Sequence, residues 1–341
     1  HGCPGCCAIP ALMSEPQPPY AGLAPETIIQ AVESAGLRPD GGLLALNSYE
    51  NRVYQVGMEE GAPLVAKFYR PGRWSDPCIL EEHAFSLALA AEEIPVVAPL
   101  VDDSGNTLHH FHGFRFALFP RQGGRWPELD NPENLQWTGR FLGRIHQLGA
   151  AGVFNCRPSF DAKAMGGDSA LFLLEAGFLP LDLERSYRQV TENLQAAIER
   201  AFESVGRYRQ LRLHGDCHRG NILWTDSGPH FVDLDDCRNG PAIQDLWMLL
   251  SGDRQEMTVQ LQHVREGYEL FRTLDTREIA LIEPLRTLRM IHYAAWLARR
   301  WDDPAFPQAF PWFNTQQYWQ QHLNQLEQQQ IELEQPPIDL Y

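Results

Sequence analysis

The sequence predicts an α+β protein of two lobes, an antiparallel β-sheet N-lobe followed by a mostly helical C-lobe. Three observations carry that expectation. Apolar segments with strand periodicity gather in residues 43–119, helical spacing dominates from residue 132 onward, and a short Pro/Gly-rich stretch, residues 120–124, lies between them. A sheet and a helical body that each bury one face meet across such a connector, and the cleft at the junction is where ligands are held.

The elements follow in order. Residues 1–24 read as a tag or upstream extension, with HGCPGCC at 1–7 and a Pro-rich, extended stretch after it. Cys3, Cys6 and Cys7 are candidate soft-metal ligands, but no second Cys/His pair follows at zinc-site spacing. Pro25 opens a helix with Ile28, Ile29, Val32 and Ala35 on one face, and Gly36 stops it. LLAL, RVYQV and PLVAKFY, separated by NSYEN and MEEGA, predict a three-stranded antiparallel meander over 43–70. DPCILEEHAFSLALAA at 76–91 returns to helical spacing, and PVVAPLV and FRFALF read as strands closing the N-lobe, 25–119. The connector 120–124 is the expected hinge. The C-lobe, 125–341, is expected to hold helices at 132–149, 182–204, 240–251, 254–273, 276–300 and 315–333. Its one strand-like block is LRLHGD, NILWTD and PHFVDLDD, short strands framing a loop.

Composition narrows the function. With 341 residues, 44% of them hydrophobic, the chain can bury a full core. Lys and Arg total 28 against 44 Asp and Glu, a net charge of -16 that argues against binding phosphate backbones or anionic membranes. No apolar run is long enough to span a bilayer. The seven cysteines are scattered and no secretory segment is evident, which fits a reducing cytoplasm better than a disulfide framework.

Chemistry concentrates at a few positions. The chain has two lysines, and Lys67, in LVAKFY, shares a strand face with Val65. A lysine directed inward requires an anion, unless it snorkels from an edge strand. The next helix offers Glu82, in step with the apolar Phe85, and Glu81 as the alternative. Asp216 and Asn221 stand as D-x-x-x-x-N, the spacing of a phosphoryl-transfer loop in which the Asp takes the acceptor hydroxyl proton and the Asn binds Mg²⁺. Asp233, after two apolar residues in FVDLDD, delivers a second oxygen ligand at a strand end. Ser48, in the NSYEN turn, stands where a phosphate-covering loop belongs, and no P-loop motif occurs. Two other readings use the same stretch: a Cys217/His218 thiol pair, or a zinc site from His214, Cys217, His218 and Cys237. Asp235 and Asp236 read either as helpers of a second Mg²⁺, as bait for a basic substrate, or as a solvated acidic turn, with Arg238 near enough in sequence to neutralise them.

LHGDCHRGNILW and FVDLDD together resemble the kinase-like phosphotransferases of the aminoglycoside phosphotransferase and choline kinase group, with H-G-D-x-x-x-x-N and a V-D strand end. LNSYENRVYQV, VAKFYRPGRW, ILEEHAF, NGPAIQDLWMLL and AWLARRWDDPAFPQAFPW are similar to the bacterial stress response kinase A family over residues 25–335. The resemblance implies a two-lobed protein-kinase-like fold and ATP-dependent phosphorylation of Ser/Thr residues on proteins, autophosphorylation included, in a cytoplasmic stress response. It implies Asp216 as proton acceptor, Asn221 and Asp233 as Mg²⁺ ligands, Ser48 and Lys67 as ATP contacts, and Glu82 as the partner of Lys67. Asp245 would brace the catalytic loop. The expected partners are ATP and protein substrates, with the chain a monomer. A small-molecule kinase acting on an amino alcohol, sugar or aminoglycoside uses the same catalytic set and stands as the alternative.

Overall fold

A computed structural model describes residues 18–340. Cys3, Cys6 and Cys7 lie outside them.

The N-lobe begins with α1 (Pro25–Ser34), which has Pro at its start and Gly36, at φ +83°, just past its end. Ile28, Ala31 and Val32 bury against Val56, Phe68, Phe116 and Leu118 of the sheet. The strands β1 (Pro39–Leu46), β2 (Arg52–Met58) and β3 (Leu64–Phe68) form the meander, and α2 (Asp76–Ala91) follows. Then come β4 (His109–Phe111) and β5 (Phe114–Pro120), giving the antiparallel order β1-β2-β3-β5-β4. Lys67 stands mid-sheet, opposite Val53 on one side and Ala117 on the other. The β4–β5 hairpin turns through His112 and Gly113, both at positive φ as a tight primed turn requires. A three-residue strand carrying two histidines gives no periodic signal, which is why β4 is not visible in the sequence.

PVVAPLV, expected as a strand, is not one. Pro95 and Pro99 remove the amide donors a ladder needs. The segment instead laces the lobes together: Val97 donates its N–H to Phe231 O (2.9 Å), and Leu100 donates to Leu118 O (2.7 Å).

In the C-lobe, α3 (Pro132–Gly149) has the bounds its sequence predicts, with the Asn131 side chain accepting from Glu133 N and Asn134 N. The short helices α4 (Ala162–Met165) and α5 (Gly167–Glu175) lead to α6 (Leu181–Val205). The strand block resolves into β6 (Leu211–Leu213), β7 (Ile222–Thr225), β8 (Gly228–Phe231) and β9 (Arg238–Gly240), paired β6–β9 and β7–β8. Helices α7 (Ile243–Trp247), α8 (Arg254–Tyr268), α9 (Ile282–Arg299), α10 (Ala305–Ala309) and α11 (Gln316–Glu334) complete the lobe. The long helix expected at 276–300 divides into a 3-10 turn, Thr276–Leu281, and α9. Pro284, which has no N–H, fits only in the first turn of an α-helix and so sets where α9 starts. Helices α4 and α10 are too short for a 3.6-residue period to register.

Glycines bring α3 and α8 into backbone contact. A Cβ at Gly139 would overlap Val264 O, one at Gly143 would lie 2.6 Å from Tyr268 O, and one at Gly267 would overlap Gln136 O. Gly267→Ala is expected to destabilise the protein by about 1–3 kcal/mol, read as a lower denaturant midpoint with an unchanged m-value. A wild-type midpoint would contradict this packing.

One expectation about the cysteines is corrected. Cys78, in the first turn of α2, and Cys156, in the loop before α4, form a disulfide across 78 residues of sequence. Nothing local marks two thiols that only lobe docking brings together. Cys217 and Cys237 are free and buried. Among the described residues, no helix is long and apolar enough to cross a membrane.

Candidate active site

The loop after β6 is held from below. Asp245 on α7 is fully buried and accepts from His214 N and Gly215 N, both at 2.9 Å. His146 on α3 approaches the same carboxylate with Nε2 at 2.9 Å, its Nδ1 being 2.9 Å from the Tyr268 hydroxyl. Burial pushes the Asp245 carboxyl up, but the bonds from His146 and Gly215 prevail and hold it below the usual range. His214 bonds through Nε2 to Val232 O (2.9 Å), tying the loop to the segment that carries Asp233. The close α3–α8 packing thus places His146, and through Asp245 the loop that carries Asp216.

Glu278 supports α7 by accepting from Ile243 N (3.1 Å). Burial pushes its carboxyl up to about 7. A folded-state value above the unfolded one means that its contribution to stability is complete below about pH 4.3 and is lost as pH rises through 7. The contribution of Glu278 to the unfolding free energy should therefore fall between pH 5 and 8 by an amount on the order of 3 kcal/mol. Glu278→Gln should flatten that fall in denaturant titrations at the two pH values, and an unchanged slope would contradict the assignment.

Asp216 and Asn221 sit at the two ends of the loop, which closes in a 3-10 turn, Arg219–Asn221, capped by His218. Asn221 Nδ2 donates to Asp216 O (2.9 Å), leaving its side-chain oxygen available to the cavities it lines. Arg289 of α9 donates to Asp216 Oδ1, and His218 Nε2 lies 3.4 Å from Oδ2. Burial alone would raise the Asp216 carboxyl, but His218 and Arg289 hold it well below the usual range. Cys217 packs in the hydrophobic core, where burial drives its thiol far up. The thiol alternative at that position is excluded: the neutral, enclosed thiol is inert. The zinc reading falls too, since among the described residues no group of three His, Cys, Asp or Glu could hold a metal.

Lys67 lies under three carboxylates. Its Nζ is 3.0 Å from Asp233 Oδ1, 3.4 Å from Asp235 Oδ1 and 4.0 Å from Glu82 Oε1. Burial disfavours the ammonium, yet Asp233, Asp235 and Glu82 outweigh it and raise its pKa far above the ordinary lysine value. Between the two glutamates the structure decides clearly. Glu82 is buried and also binds Arg157 (2.7 Å), whereas Glu81 accepts from the amides of Asn155, Cys156 and Arg157 at 2.6–2.9 Å. Asp233 holds φ +58°, ψ +68°, a left-handed conformation that costs a non-glycine residue about 1 kcal/mol or more. That turn ends the β8 segment and returns the carboxylate toward Lys67.

Asp235 is not a solvated acidic residue. It is 3% exposed, bonded by Asn51 Nδ2 (3.0 Å) and paired with Arg73 and Lys67, and these two cations outweigh burial and hold its carboxyl low. Asp236 pairs with Arg73 (2.7 Å) and Arg238 (3.4 Å). Arg73, Arg157, Asn51 and Arg289 were all missed by sequence reasoning. Arg73 falls inside the distinctive VAKFYRPGRW segment, which is the one signal that could have drawn attention to it.

Two cavities meet at this cluster. One, about 340 Å³, lies beneath the sheet between Val53, Val65, Lys67, Phe119 and Leu223. The other, about 320 Å³, holds Asp216, His218, Arg289, Tyr293 and Trp296. Asn47, Ser48, Asn221 and Asp233 line both and form their common boundary. Ser48 therefore stands beside Asn221 and Asp233, in a loop pinned by the C-lobe. Glu50 accepts from Trp296 Nε1 (2.5 Å) and Arg300 Nη2 (3.0 Å), and the Tyr49 ring lies 4.8 Å from that of Phe310. Arg70 adds a bond to Asp303 (2.6 Å).

A model of the phosphotransferase enzyme family matches residues 43–282. The chain is 48% identical over 318 residues to stress response kinase A of Escherichia coli strain K12, covering 93% of this chain and 96% of that one. It is 47% identical, with the same coverage, to serine/threonine protein kinase RdoA of Salmonella typhimurium strain LT2. Among solved structures, the amicoumacin kinase hAmiN in complex with AMP-PNP, Ca²⁺ and Ami superposes with a TM-score of 0.69 at 20% identity, over 90% of this chain and 92% of that chain. A microcompartment-associated aminopropanol kinase gives 0.67 at 19% identity, over 91% and 96%. These two likenesses show the fold. With the match over residues 43–282 and near-half identity along most of its length, the chain belongs to the phosphotransferase enzyme family and, within it, to the stress response kinase A family, and it is a kinase.

Proposed function

We propose that this kinase transfers the γ-phosphoryl group of ATP, with Mg²⁺, to Ser/Thr hydroxyls of proteins, its own included, in a bacterial stress response. ATP occupies the cavity beneath the sheet. Its adenine lies against Val53, Val65, Phe119 and Leu223 and is read by the backbone of the hinge 120–124 between an N-lobe of 25–119 and a C-lobe of 125–341. Ser48 and Lys67 contact its phosphates, and Glu82 orients Lys67. Asn221 and Asp233 hold the metal. Their donors fit it: an amide oxygen and a half-exposed carboxylate are hard ligands that leave room for water and phosphate oxygens. When bound, Mg²⁺ neutralises charge on the phosphate oxygens. Asp216 takes the acceptor proton on Oδ2. Its Oδ1 is engaged by Arg289, while Oδ2 has only the long contacts to His218 (3.4 Å) and Asn221 (3.5 Å).

The observation that carries a protein acceptor is the pairing of every carboxylate in the acceptor cavity. Glu50 meets Arg70, Arg73 and Arg300; Asp216 meets Arg289; Asp233 meets Lys67; Asp236 meets Arg73 and Arg238. No acidic group is left over to hold the ammonium of an amino alcohol or aminoglycoside. The same cavity shares Arg73, Met165, Asp236, Arg238, His292 and Trp296 with an open groove of about 1050 Å³, room enough for an extended polypeptide. Incubation with γ-labelled ATP and Mg²⁺ tests the reading. Label on the protein itself or on a generic protein substrate is expected, and label only on added small alcohols would refute it.

A further inference from the structure

Arg289 has one recorded ion-pair partner among the described residues, Asp216, and its side chain is still 40% exposed. The other cations of the acceptor cavity are committed elsewhere. Arg73 is shared by Glu50, Asp235 and Asp236, Arg238 is held by Asp236, and His218 faces Asp216. His292 is driven down to about 4 by burial and stands there uncharged. A guanidinium carries five N–H donors in a rigid planar fork, and Asp216 engages only Nη1. Donors therefore remain unengaged on a side chain that lines the cavity together with Asp216, Tyr293 and Trp296.

The location sets what they can reach. A hydroxyl bonded to Asp216 Oδ2 stands on the same carboxylate that Arg289 grips. Consecutive residues of a bound polypeptide are about 3.8 Å apart at Cα, so the side chain next to the target Ser or Thr falls within reach of the free N–H groups. A carboxylate there gains charge-assisted hydrogen bonds of the fork geometry arginine favours. A cationic neighbour meets like charge, and each carboxylate lining the same cavity is already paired.

We propose that Arg289 is a specificity-determining residue that selects protein acceptors whose target Ser or Thr is flanked by an acidic residue. This rests on the protein-kinase reading above. The test uses three peptides of one sequence with a single Ser, whose neighbouring residue is Asp, Ala or Arg, assayed with Mg-ATP alongside a generic protein substrate and a panel of small alcohols. Wild-type kcat/KM should be at least about tenfold higher for the Asp peptide than for the Arg peptide, a gap of ~1.4 kcal/mol. Arg289→Ala, which touches the catalytic base, should lower turnover on every peptide. The ratio between peptides on one enzyme cancels that common loss and should collapse to within about twofold. Arg289→Glu should invert it. Nucleotide-induced thermal stabilisation checks that both variants remain folded.

Equal rates on the three wild-type peptides, or a preference that survives Arg289→Ala, would overturn the proposal while leaving a protein kinase in place. Absence of label on every peptide would overturn it as well. Label confined to the small alcohols would overturn both readings together.

Discussion

Asp216→Asn should lower kcat for phosphoryl transfer by about 10²–10⁴-fold, the usual contribution of a positioned general base, while leaving ATP binding and the unfolding midpoint close to wild type. The amide keeps the size of the carboxylate but cannot take the hydroxyl proton. The loop it sits on is anchored by other groups, since His214 N and Gly215 N bond to Asp245 and His214 Nε2 bonds to Val232 O. The substitution also removes a partner of Arg289, a surface-reaching group that solvent can satisfy. Single-turnover kinetics with γ-labelled ATP, paired with thermal unfolding, separates the chemical step from folding. Turnover within tenfold of wild type would retire Asp216 as the base.

Lys67→Ala should have two separate consequences. With its phosphate contact removed, kcat/KM for ATP is expected to fall by about 10²–10³-fold, the size seen when one preorganised charge-stabilising donor is lost. The chain has one other lysine, Lys163, on α4, and no second ammonium is at hand to substitute. The same change leaves Asp233, Asp235 and Glu82 without the cation at their centre, a loss expected to stay below the roughly 3–5 kcal/mol of a fully buried broken pair because Asp233 is half-exposed and solvent reaches it. Arg73 and Arg157 retain Asp235 and Glu82, so Asp233 loses the most. Measurement of kcat/KM well below the melting temperature, together with the melting temperature itself, resolves the two effects. An unaltered melt with intact ATP use would show that the lysine is idle.

The Asp216–Asn221 spacing was legible because it is local. Asp216 and Asn221 are five residues apart, and their geometry comes from one loop and one 3-10 turn. The electrostatics of the site was not legible in the same way. Arg157 meets Glu82 across 75 residues, Arg289 meets Asp216 across 73, and Arg73 meets Asp235 across 162. No residue-scale pattern announces such pairs. Asp235 and Asp236 illustrate the difference. Adjacent in DLDD, they look alike as sequence, but Asp235 turns into a nest of Lys67, Arg73 and Asn51, whereas Asp236 stays at the cavity wall. PVVAPLV misled for the opposite reason. Its apolar pattern is strand-like, but two prolines deny it a ladder, and only the docking of Phe231 and Leu118 gives its amides partners.

By itself, the sequence determined the two-lobed layout, the bounds of helices such as α3 and α1, the inward face of Lys67 and the Asp216–Asn221 spacing. Each of these follows from apolar periodicity, capping residues or short-range geometry, which neighbouring residues encode directly. Only the tertiary structure decided that Glu82 rather than Glu81 lies beside Lys67, that Cys78 and Cys156 pair, that Cys217 is enclosed, and that Lys67 and arginines from distant segments pair with every carboxylate lining the cavity around Asp216. The physical reason is that charge pairing and burial depend on which surfaces pack together, and chain distance carries no record of that.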